Sequence, residues 1–456
     1  MPSYARWYRK FYHGGYEAIR GRNMLHLLAQ AEERQWWTPG QLREWQREHL
    51  LRILTSAYNR SDFYHQRMEQ AGAVPEAKSD PFILLKQLPP LTRTDVQRNF
   101  QQLVAKGHGH PLLVKGTGGS TGQPVRVGYD DPVYRFRMAL AQRAYAWAGC
   151  EDGVRTAYLW GGAIASVSAV ARWKLAFDNA LARRMIINTF GQGTQDFPAW
   201  EQRIRAANPI GLITYTTPGY ELARFMLAKR SRPFGTAAII TAAEAVYPHQ
   251  RRAMEMAFGG RVFESYGSRE VTSIAMECSA HQGLHINADG LLVEIQRDGT
   301  DAEPGTTGEV WLTDLMNEAF PLIRYALGDL AVPSNRTCAC GRGLPLIERI
   351  DGRVLDALRD RRGRMIPGEF FPHMMGGVSG IDSYQVVQDR DDRVVITLVP
   401  GPGLTDETVA FIRQASLRRL GEGMLVEIKM ADSIPAEPSG KLRVTKCVVE
   451  RGEQRE

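Results

Sequence analysis

A stretch rich in glycine and hydroxyl side chains, KGTGGSTGQPVRVGYD at residues 115–130, is the part of the sequence best suited to chemistry. Glycines let backbone N–H groups approach phosphate oxygens, and short hydroxyl side chains add donors without bulk. The stretch does not end in the Gly-Lys-Ser/Thr of the common P-loop. On its own it therefore indicates either a phosphate-binding loop or an ordinary surface loop of small residues.

Cysteine and histidine residues in two distant segments indicate a metal site. Cys338 and Cys340 form a Cys-x-Cys pair, and Cys278 lies upstream with His281 and His285 after it. Three thiolates and one imidazole suit a tetrahedral Zn²⁺ site, and a site with all four positions filled is structural. The alternative is a set of buried, inert cysteines.

The composition is that of an ordinary folded protein with more than one domain. Of the 456 residues 43% are hydrophobic and 23% are charged, and a chain of this length exceeds one ordinary core. The net charge of +7 suits anionic small molecules such as nucleotides. No aromatic-and-basic recognition pattern points to nucleic acid, so we expect no nucleic-acid partner.

The N-terminal segment and the cysteine count bear on location. Charged residues interrupt the segment MPSYARWYRKFYHGGYEAIRGR, so it lacks the apolar centre of a secretory signal, and no stretch is long enough to span a bilayer. This aromatic and basic segment either lies on a membrane surface or packs as a short helix on its own domain. Five cysteines without a signal favour a reducing compartment, so we expect a cytoplasmic protein, with Cys150 and Cys447 as packing residues.

The elements that must position these residues are α/β in type. Apolar residues recur at helical spacing from residue 39 to about residue 72, and Thr92 with Asp95 three residues later predicts a helix start. From about residue 110 to residue 330, short β-type runs alternate with helical ones: RTAYLWGG, ARRMIIN, IGLITY, TAAIITAA and GRVFESYGS. This alternation predicts α/β layers with parallel strands.

The composition of the sequence changes after Asp329. A cysteine-rich turn and a segment dense in charge and glycine lead to a smaller C-terminal part. There DSYQVVQDRDDRVVITLVPG indicates paired strands, TDETVAFIRQASLRRLGEG a helix and MLVEIKMADSI a further strand. We therefore predict a large N-terminal domain at 1–350, helical over about 1–105, and a small α+β domain at 351–456.

Three further motifs follow the glycine-rich stretch: FESYGSRE at 263–270, PLIRYALGDLA at 321–331 and IPAEPSGKLRVTK at 434–446. In this order and spacing, the four stretches resemble the adenylate-forming superfamily of acyl-CoA synthetases. They are most similar to its phenylacetate–CoA ligase branch, which includes CapK-like proteins found with capsular polysaccharide enzymes. The segments ILTSAYNRSDFYHQRM, GLHINADGLLVEI and CACGR are also similar to that branch, and this favours His285 over His281 as the fourth zinc ligand.

The resemblance implies a role for particular residues. The phosphates of ATP would be bound by Thr117, Gly118, Gly119, Ser120, Thr121 and Gly122. Tyr266 and Gly267 would lie against the adenine, and Glu270 would bind Mg²⁺. Asp329 would accept hydrogen bonds from the ribose hydroxyls, and Arg353 would help hold the nucleotide.

The resemblance also implies a mobile C-terminal domain and a catalytic lysine. Lys441 would reach the carboxylate and the α-phosphate during adenylation, when two anions approach each other and positive charge must offset the developing charge. The small domain would then rotate about Leu355 and Asp356 and open a path for the thiol of coenzyme A.

Three of the motifs depart from the pattern of the family. Arg269 stands where a small hydroxyl residue is usual, Ala326 and Leu327 replace a common Arg-Thr pair, and Leu355 replaces an aspartate at the hinge. These departures are compatible with a slow enzyme or with an unusual acceptor for the acyl group.

The acyl pocket is less well defined by the sequence. By position, Trp160, Tyr215, Tyr220 and Glu244 should lie near the acid, and an aromatic lining would favour an aryl or arylacetic acid. The alternative is that these residues are plain core. We therefore expect an ATP-dependent acid–CoA ligase with Mg²⁺ and structural Zn²⁺. The alternatives are transfer to an amine, a hydroxyl or a carrier-protein thiol, and a nucleotide-binding scaffold without turnover. The oligomeric state stays open, a homodimer included.

Overall fold

The computed structural model describes residues 3–20, 23–116, 125–161, 169–189, 194–353, 358–361, 365–366, 370–375, 378–435 and 444–449. They form two compact units. The first comprises residues 1–246, 250–327 and 331–349, and the second comprises residues 247–249, 328–330 and 350–456. The predicted α/β class, a large layered part and a smaller α+β part, is confirmed.

The N-terminal third is helical, as the periodicity predicts. Its helices are α1 (Ser3–Trp7), a π-helix (Tyr8–His13), α2 (Gly14–Arg20), α3 (Met24–Arg34), α4 (Pro39–Arg60), α5 (Asp62–Ala71), α6 (Pro81–Gln87), α7 (Arg93–Arg98) and α8 (Phe100–Leu103). The predicted start at Thr92 is confirmed, because its hydroxyl accepts from the Asp95 backbone while the Asp95 carboxylate accepts from the Thr92 backbone. The helical stretch predicted from residue 39 to about residue 72 is confirmed, and it forms two helices because extended backbone at Ser61 ends α4 and caps α5.

A parallel set of strands alternates with helices in the middle of the chain. The elements are β1 (Leu113–Gly116), β2 (Arg126–Tyr129), α9 (Asp131–Trp147), β3 (Thr156–Trp160), α10 (Ala169–Leu181), β4 (Arg184–Asn188), a 3₁₀ turn (Thr194–Asp196), α11 (Phe197–Ala207), β5 (Gly211–Tyr215), α12 (Thr216–Ala228), β6 (Ala238–Ala242), α13 (Pro248–Phe258) and β7 (Arg261–Ser268). Strands β3 to β7 are the five runs predicted from the sequence, and they pair in parallel in the order β7-β6-β5-β3-β4.

The same sheet continues beyond β7 with antiparallel strands. These are β8 (Thr272–Glu277), β9 (Leu284–Ile286), β10 (Leu291–Arg297), β11 (Thr300–Asp301), β12 (Gly308–Asp314), β13 (Tyr325–Ser334) and β14 (Leu346–Arg353). Within the described residues the sheet has twelve strands, in the order β11-β10-β12-β13-β14-β9-β8-β7-β6-β5-β3-β4. Strand β7 therefore pairs in parallel with β6 on one side and antiparallel with β8 on the other.

A buried arginine ties the helical N-terminus to this sheet. Arg143 on α9 is fully buried and donates to the carbonyl of Ala31, to the Asn287 side chain and to both carboxylate oxygens of Asp289, at 2.8–3.0 Å. Arg34 donates to the same carboxylate at 3.0 Å. The two arginines hold the pKa of Asp289 below its usual range, although burial alone would raise it.

The second unit is a small α+β fold with its own core. Its elements are β15 (Leu358–Arg359), β16 (Met365–Ile366), α14 (Phe370–Met375), β17 (Ile381–Arg390), β18 (Arg393–Pro400), α15 (Asp406–Leu420), β19 (Leu425–Met430) and β20 (Thr445–Cys447). The predicted strand pair is β17 with β18, and the predicted helix and further strand are α15 and β19. Across the described part of the chain, no helix combines the length and the apolar character needed to cross a bilayer.

Candidate functional site

Residues predicted for the site converge at one edge of the parallel sheet. Trp160 and Tyr215 are the last residues of β3 and β5, and Glu244 follows β6 by two residues. Tyr266 is the third residue from the end of β7, the strand that leads into the β7–β8 hairpin. Because these strands run parallel, all four positions lie at their carboxyl ends, which is where open α/β sheets bind ligands.

The predicted acyl-pocket residues are held by hydrogen bonds and ring contacts. The rings of Trp160 and Tyr215 lie 4.3 Å apart, and the Tyr215 hydroxyl donates to the carbonyl of Gly161 at 3.0 Å. The Glu244 carboxylate accepts from the backbone and the hydroxyl of Thr217 at 3.0 and 2.5 Å, so it caps the first turn of α12. The structure thus brings an aromatic pair and a carboxylate to the same strand ends.

Two further features mark this edge. Tyr220 is half-buried on α12, and burial raises its pKa. Ala243, between β6 and Glu244, has a φ of 71°, in the left-handed region that favours glycine. Backbone strain of this kind is concentrated at functional sites.

The β7–β8 hairpin carries the residues predicted to bind adenine and Mg²⁺. Tyr266 and Glu270 are both buried, and the Tyr325 hydroxyl donates to Glu270 at 3.4 Å. A Cβ at Gly267 would lie 2.1 Å from the Thr272 carbonyl oxygen, so the turn requires glycine there. Thr272 has a φ of 76°, which is rare for a β-branched residue and shows how tightly the hairpin is folded.

Arg269, a departure from the family pattern, interacts with two of these segments. Its guanidinium donates to the carbonyl of Gly116 at 3.0 Å, and Gly116 is the second residue of the glycine-rich stretch and the last residue of β1. Its charge acts against the effect of burial on Tyr215, whose pKa burial raises. Arg269 therefore links the β7–β8 hairpin to β1 and lies near the aromatic pair, which the sequence did not predict.

The remaining predicted nucleotide and catalytic residues fall into two groups. In the second unit, the Arg353 guanidinium approaches the Asp329 carboxylate to 3.8 Å, and both side chains are partly exposed. The other positions lie outside the described residues: Thr117, Gly118, Gly119, Ser120, Thr121, Gly122, Leu355, Asp356 and Lys441.

The cysteines and one histidine predicted as metal ligands come together. The ligand atoms of Cys278, Cys338, Cys340 and His285 all lie within 4.8 Å of one another. Cys278 Sγ is 3.6 Å from Cys338 Sγ, and Cys340 Sγ is 3.3 Å from His285 Nε2. Tetrahedral zinc with ordinary bond lengths requires about 3.8 Å between sulfurs and about 3.6 Å between sulfur and nitrogen. The four residues therefore fit zinc.

The surroundings of the cluster orient its ligands. His285 Nδ1 lies 3.2 Å from the Leu344 carbonyl, which leaves Nε2 free to face the sulfurs. Burial lowers the pKa of His285 to about 4, so the imidazole is neutral, as a metal ligand must be. Burial raises the pKa of Cys278 to about 12 without a metal. A buried thiolate there needs a cation.

His281, the alternative ligand, lies in a neighbouring cluster instead. Its Nδ1 is 3.4 Å from Glu277, whose carboxylate also forms a salt bridge with Arg251 at 3.0 Å. Glu264 is buried next to Glu277, and burial together with that second carboxylate raises the pKa of Glu264 to about 7. This acidic pair is not predictable from the local sequence, because its members lie on different strands.

Comparisons with known proteins agree with this architecture. A family model described as the CapK C-terminal domain matches residues 358–447. The chain is 26% identical to a phenylacetate–coenzyme A ligase of Thermus thermophilus, over 77% of this chain and 79% of that protein. It is 23% identical to protein CapK of Staphylococcus aureus, over 84% of each.

Solved structures share the fold. The structure of a 2-hydroxyisobutyryl-CoA ligase in complex with an acyl-AMP superposes with a TM-score of 0.72 and 18% identity, covering 92% of this chain and 91% of that one. The predicted resemblance is confirmed. The family model and the curated relatives support the adenylate-forming superfamily, in the branch of phenylacetate–CoA ligases and CapK.

Proposed function

We propose that this chain activates a carboxylic acid with ATP and transfers the acyl group to coenzyme A. The curated relatives support an AMP-forming acid–CoA ligase as the class of reaction. A carboxylate oxygen would attack the α-phosphorus, pyrophosphate would leave, and the product would be acyl-AMP. The thiolate of coenzyme A would then attack the acyl carbon and release AMP.

One observation carries the proposal: the candidate residues converge at the carboxyl edge of the parallel sheet. Trp160, Tyr215, Glu244 and Tyr266 come from four different strands, separated by as much as 106 positions in the sequence, and still share this edge. Ordinary core packing does not require polar and aromatic groups to collect at strand ends. A site that binds a nucleotide beside an acid does.

The acid itself is proposed from the same edge. The Trp160 and Tyr215 rings, 4.3 Å apart and tilted by 37°, offer an apolar aromatic surface suited to an aryl or arylacetic group. The Tyr215 hydroxyl is already bonded to a backbone carbonyl, so the side chain is held in place before the acid binds. Such a pre-positioned aromatic wall favours a rigid ring over a flexible alkyl chain.

Charge at the site would come from three groups. Mg²⁺, bound by Glu270, would neutralise the charge that develops on the phosphates. Lys441 would add a positive charge beside the carboxylate and α-phosphate, as the resemblance implies. We add Arg269, because its guanidinium donates to Gly116 of the glycine-rich stretch and its charge acts on Tyr215 of the aromatic pair. A fixed cation there would stabilise the approach of two anions.

Zinc is proposed as a structural component bound by Cys278, Cys338, Cys340 and His285. With four protein ligands no position remains for a substrate, so the metal would hold β8, β9 and the segment before β14 together. The fit between the observed donor separations and tetrahedral zinc supports this assignment.

A second acceptor is favoured by one specific observation, the match of residues 358–447 to the CapK C-terminal domain. If the C-terminal domain selects the acceptor, the acyl group would pass to an amine, a hydroxyl or a carrier-protein thiol. Supplying coenzyme A alone after adenylation, and measuring acyl-CoA formation, distinguishes this alternative from the first proposal.

The test is acid-dependent exchange between ATP and pyrophosphate. The assay uses a panel of aryl, arylacetic, hydroxy and fatty acids with the wild type, Lys441→Ala and the control Lys429→Ala. Lys429 is a half-exposed surface lysine of the same unit that pairs with Glu427. We expect exchange with aryl or arylacetic acids, its collapse in Lys441→Ala and no change in Lys429→Ala. ATP binding without exchange for any acid would instead support a scaffold.

A further inference from the structure

The N-terminal helical segment, residues 3–20, packs antiparallel against α10. We call these two segments the helix pair. The early N-terminal residues meet the end of α10, and the later ones meet its start. The contacts are Tyr4 Oη to the Leu181 carbonyl at 3.0 Å, Tyr12 Oη to Asp178 at 2.7 Å, and Lys174 Nζ to the centre of the Tyr16 ring at 5.9 Å. The N-terminal segment therefore does pack on its own unit, which is one of the two expectations for it.

The same helix pair exposes four large aromatic side chains to solvent. Trp173 is 78% exposed, Phe11 60%, Phe177 52% and Trp7 46%. Exposed aromatic residues of this size are unusual on a monomer surface when they are grouped. Packing of the helix pair leaves this group uncovered.

The four aromatic residues lie on one side of the helix pair. Phe11, Trp173 and Phe177 each directly precede a residue that makes a contact between the helices, and Trp7 precedes the buried Tyr8. Successive helical residues are about 100° apart. In two antiparallel helices that face each other, the preceding residues therefore point to the same side. We call these four residues the aromatic face.

Positive charge surrounds the aromatic face. Residues 3–20 and residues 169–184 each contain four basic residues and one acidic residue. The acidic groups are engaged, because Glu17 accepts from the backbone at the start of α3 and Asp178 accepts from Tyr12. Lys10 is exposed, with its ammonium 5.6 Å from the Phe11 ring. Arg9 pairs with Glu32 and Arg184 pairs with Asp152, so the exposed cations that remain among the described side chains of the two segments are Arg6, Lys10, Lys174 and Arg183. The surface therefore combines exposed aromatic rings with an excess of positive charge.

A basic cavity adjoins the aromatic face at the end of α10. Its volume is about 310 Å³, and its lining includes Arg155, Arg183 and Arg184. Ala180 also lines it and lies one helical turn after Phe177, on the same side of α10. Arg184 is paired with Asp152, so Arg155 and Arg183 are the guanidinium groups that this cavity offers to a phosphate group.

We propose that the aromatic face binds the surface of an anionic phospholipid bilayer. The four aromatic side chains would enter the interfacial layer, while Lys10 and the arginines of the cavity would contact lipid phosphates. Aromatic residues with flanking lysine and arginine are the composition of helices that lie on membranes. Each basic residue near an anionic bilayer strengthens attachment. This binding is independent of the proposed acid–CoA ligase reaction.

The test is sedimentation of the full-length protein with vesicles. Vesicles of phosphatidylcholine with about one-third phosphatidylserine are compared with phosphatidylcholine alone. We expect binding to the anionic vesicles only, with loss of binding in about 1 M salt, where charges are screened within a few ångströms. The double variant Trp173→Ser/Phe177→Ser should weaken binding about tenfold or more, because two large apolar side chains no longer enter the interface.

Matched controls separate the aromatic face from general surface effects. Ile83→Ser/Phe411→Ser removes two other exposed apolar side chains and should bind as the wild type does. Lys10→Glu should weaken binding about tenfold. Its control is Lys78→Glu, which replaces an exposed lysine in a turn and should bind more tightly than Lys10→Glu.

Three results would overturn the proposal. The first is equal binding to both kinds of vesicle, and the second is unchanged binding of the Trp173→Ser/Phe177→Ser variant. The third is a wild type that is a dimer and binds no vesicles, together with a Trp173→Ser/Phe177→Ser variant that is a monomer. The last result would assign the aromatic face to contact between two copies of the chain. Vesicle binding is also measured with added inorganic phosphate. Unchanged binding would support a bilayer over a free phosphate ligand.

Discussion

Replacing one cysteine of the candidate metal site should remove a metal and lower the stability of the first unit. Cys338 lies 60 positions from Cys278, yet their sulfur atoms are 3.6 Å apart. In Cys338→Ser a hydroxyl replaces a thiolate, and zinc binds a neutral hydroxyl poorly. We expect about one zinc per chain in the wild type and less than about a tenth in the variant after dialysis against a chelator.

The loss of stability follows from linkage. Zinc held at about a thousand times its dissociation constant stabilises the folded state by about 4 kcal/mol. Unfolding entropy is about 2.1 cal/mol/K per residue, or about 0.7 kcal/mol/K for a unit of roughly 340 residues. Removing the metal should therefore lower Tm by about 6 °C, measured by calorimetry with and without added zinc.

The control is Cys150→Ala, which removes a cysteine buried elsewhere in the first unit. Its thiol has a pKa raised by burial to about 12 and lies outside the metal cluster. This variant should keep its zinc. Equal zinc content in Cys338→Ser and the wild type, or a wild type purified from zinc-rich medium without metal, would refute the assignment.

Three further changes test the site and the fold. Arg269→Ala should lower ATP–pyrophosphate exchange about 100-fold by removing a fixed cation, and Arg269→Lys should recover part of it. The control is Arg297→Ala, at an exposed position. Unchanged exchange in Arg269→Ala would contradict the proposed role of Arg269. Arg143→Met should destabilise the first unit by about 3–5 kcal/mol, because Asp289 would keep only one of its two buried partners, as a denaturant titration would measure. Glu264 has a folded-state pKa of about 7, above its ordinary value of 4.5, so the folded state binds its proton more tightly. Its contribution is complete below about pH 4.5 and lost as pH rises through about 7, and Glu264→Gln should remove this part of the pH dependence of unfolding.

The sequence predicted the parts of the structure that depend on local pattern. Strands β3 to β7 were recognised because each is a short apolar run between turn residues, and parallel pairing follows from the helices between them. The capped start at Thr92 was predicted because the capping box needs only two residues three positions apart. The association of Cys278 with Cys338 followed from ligand chemistry, since tetrahedral zinc requires four donors.

Local sequence pattern did not predict the long-range contacts or the end of α4 at Ser61. The contact of Arg269 with Gly116 joins residues 153 positions apart, and nothing in the hairpin sequence indicates it. The buried pair of Glu264 and Glu277 depends on the register of β7 against β8. The break at Ser61 was missed because the apolar periodicity continues across it, while a serine cap competes with the helix only through local backbone geometry.

Strand β8 separates the two sites by only six residues. Glu270 comes two residues before its first residue, and Cys278 directly follows its last. A strand of that length spans about 20 Å, and hydrogen bonds to β7 and β9 hold it on both sides. If the cysteine and histidine cluster binds zinc as proposed, a chain without the metal would keep every group of the β7–β8 hairpin but would lose the anchor at the far end of this strand. Under the two proposals together, the supply of zinc would then set the fraction of chains able to react, independently of the supply of acid or ATP.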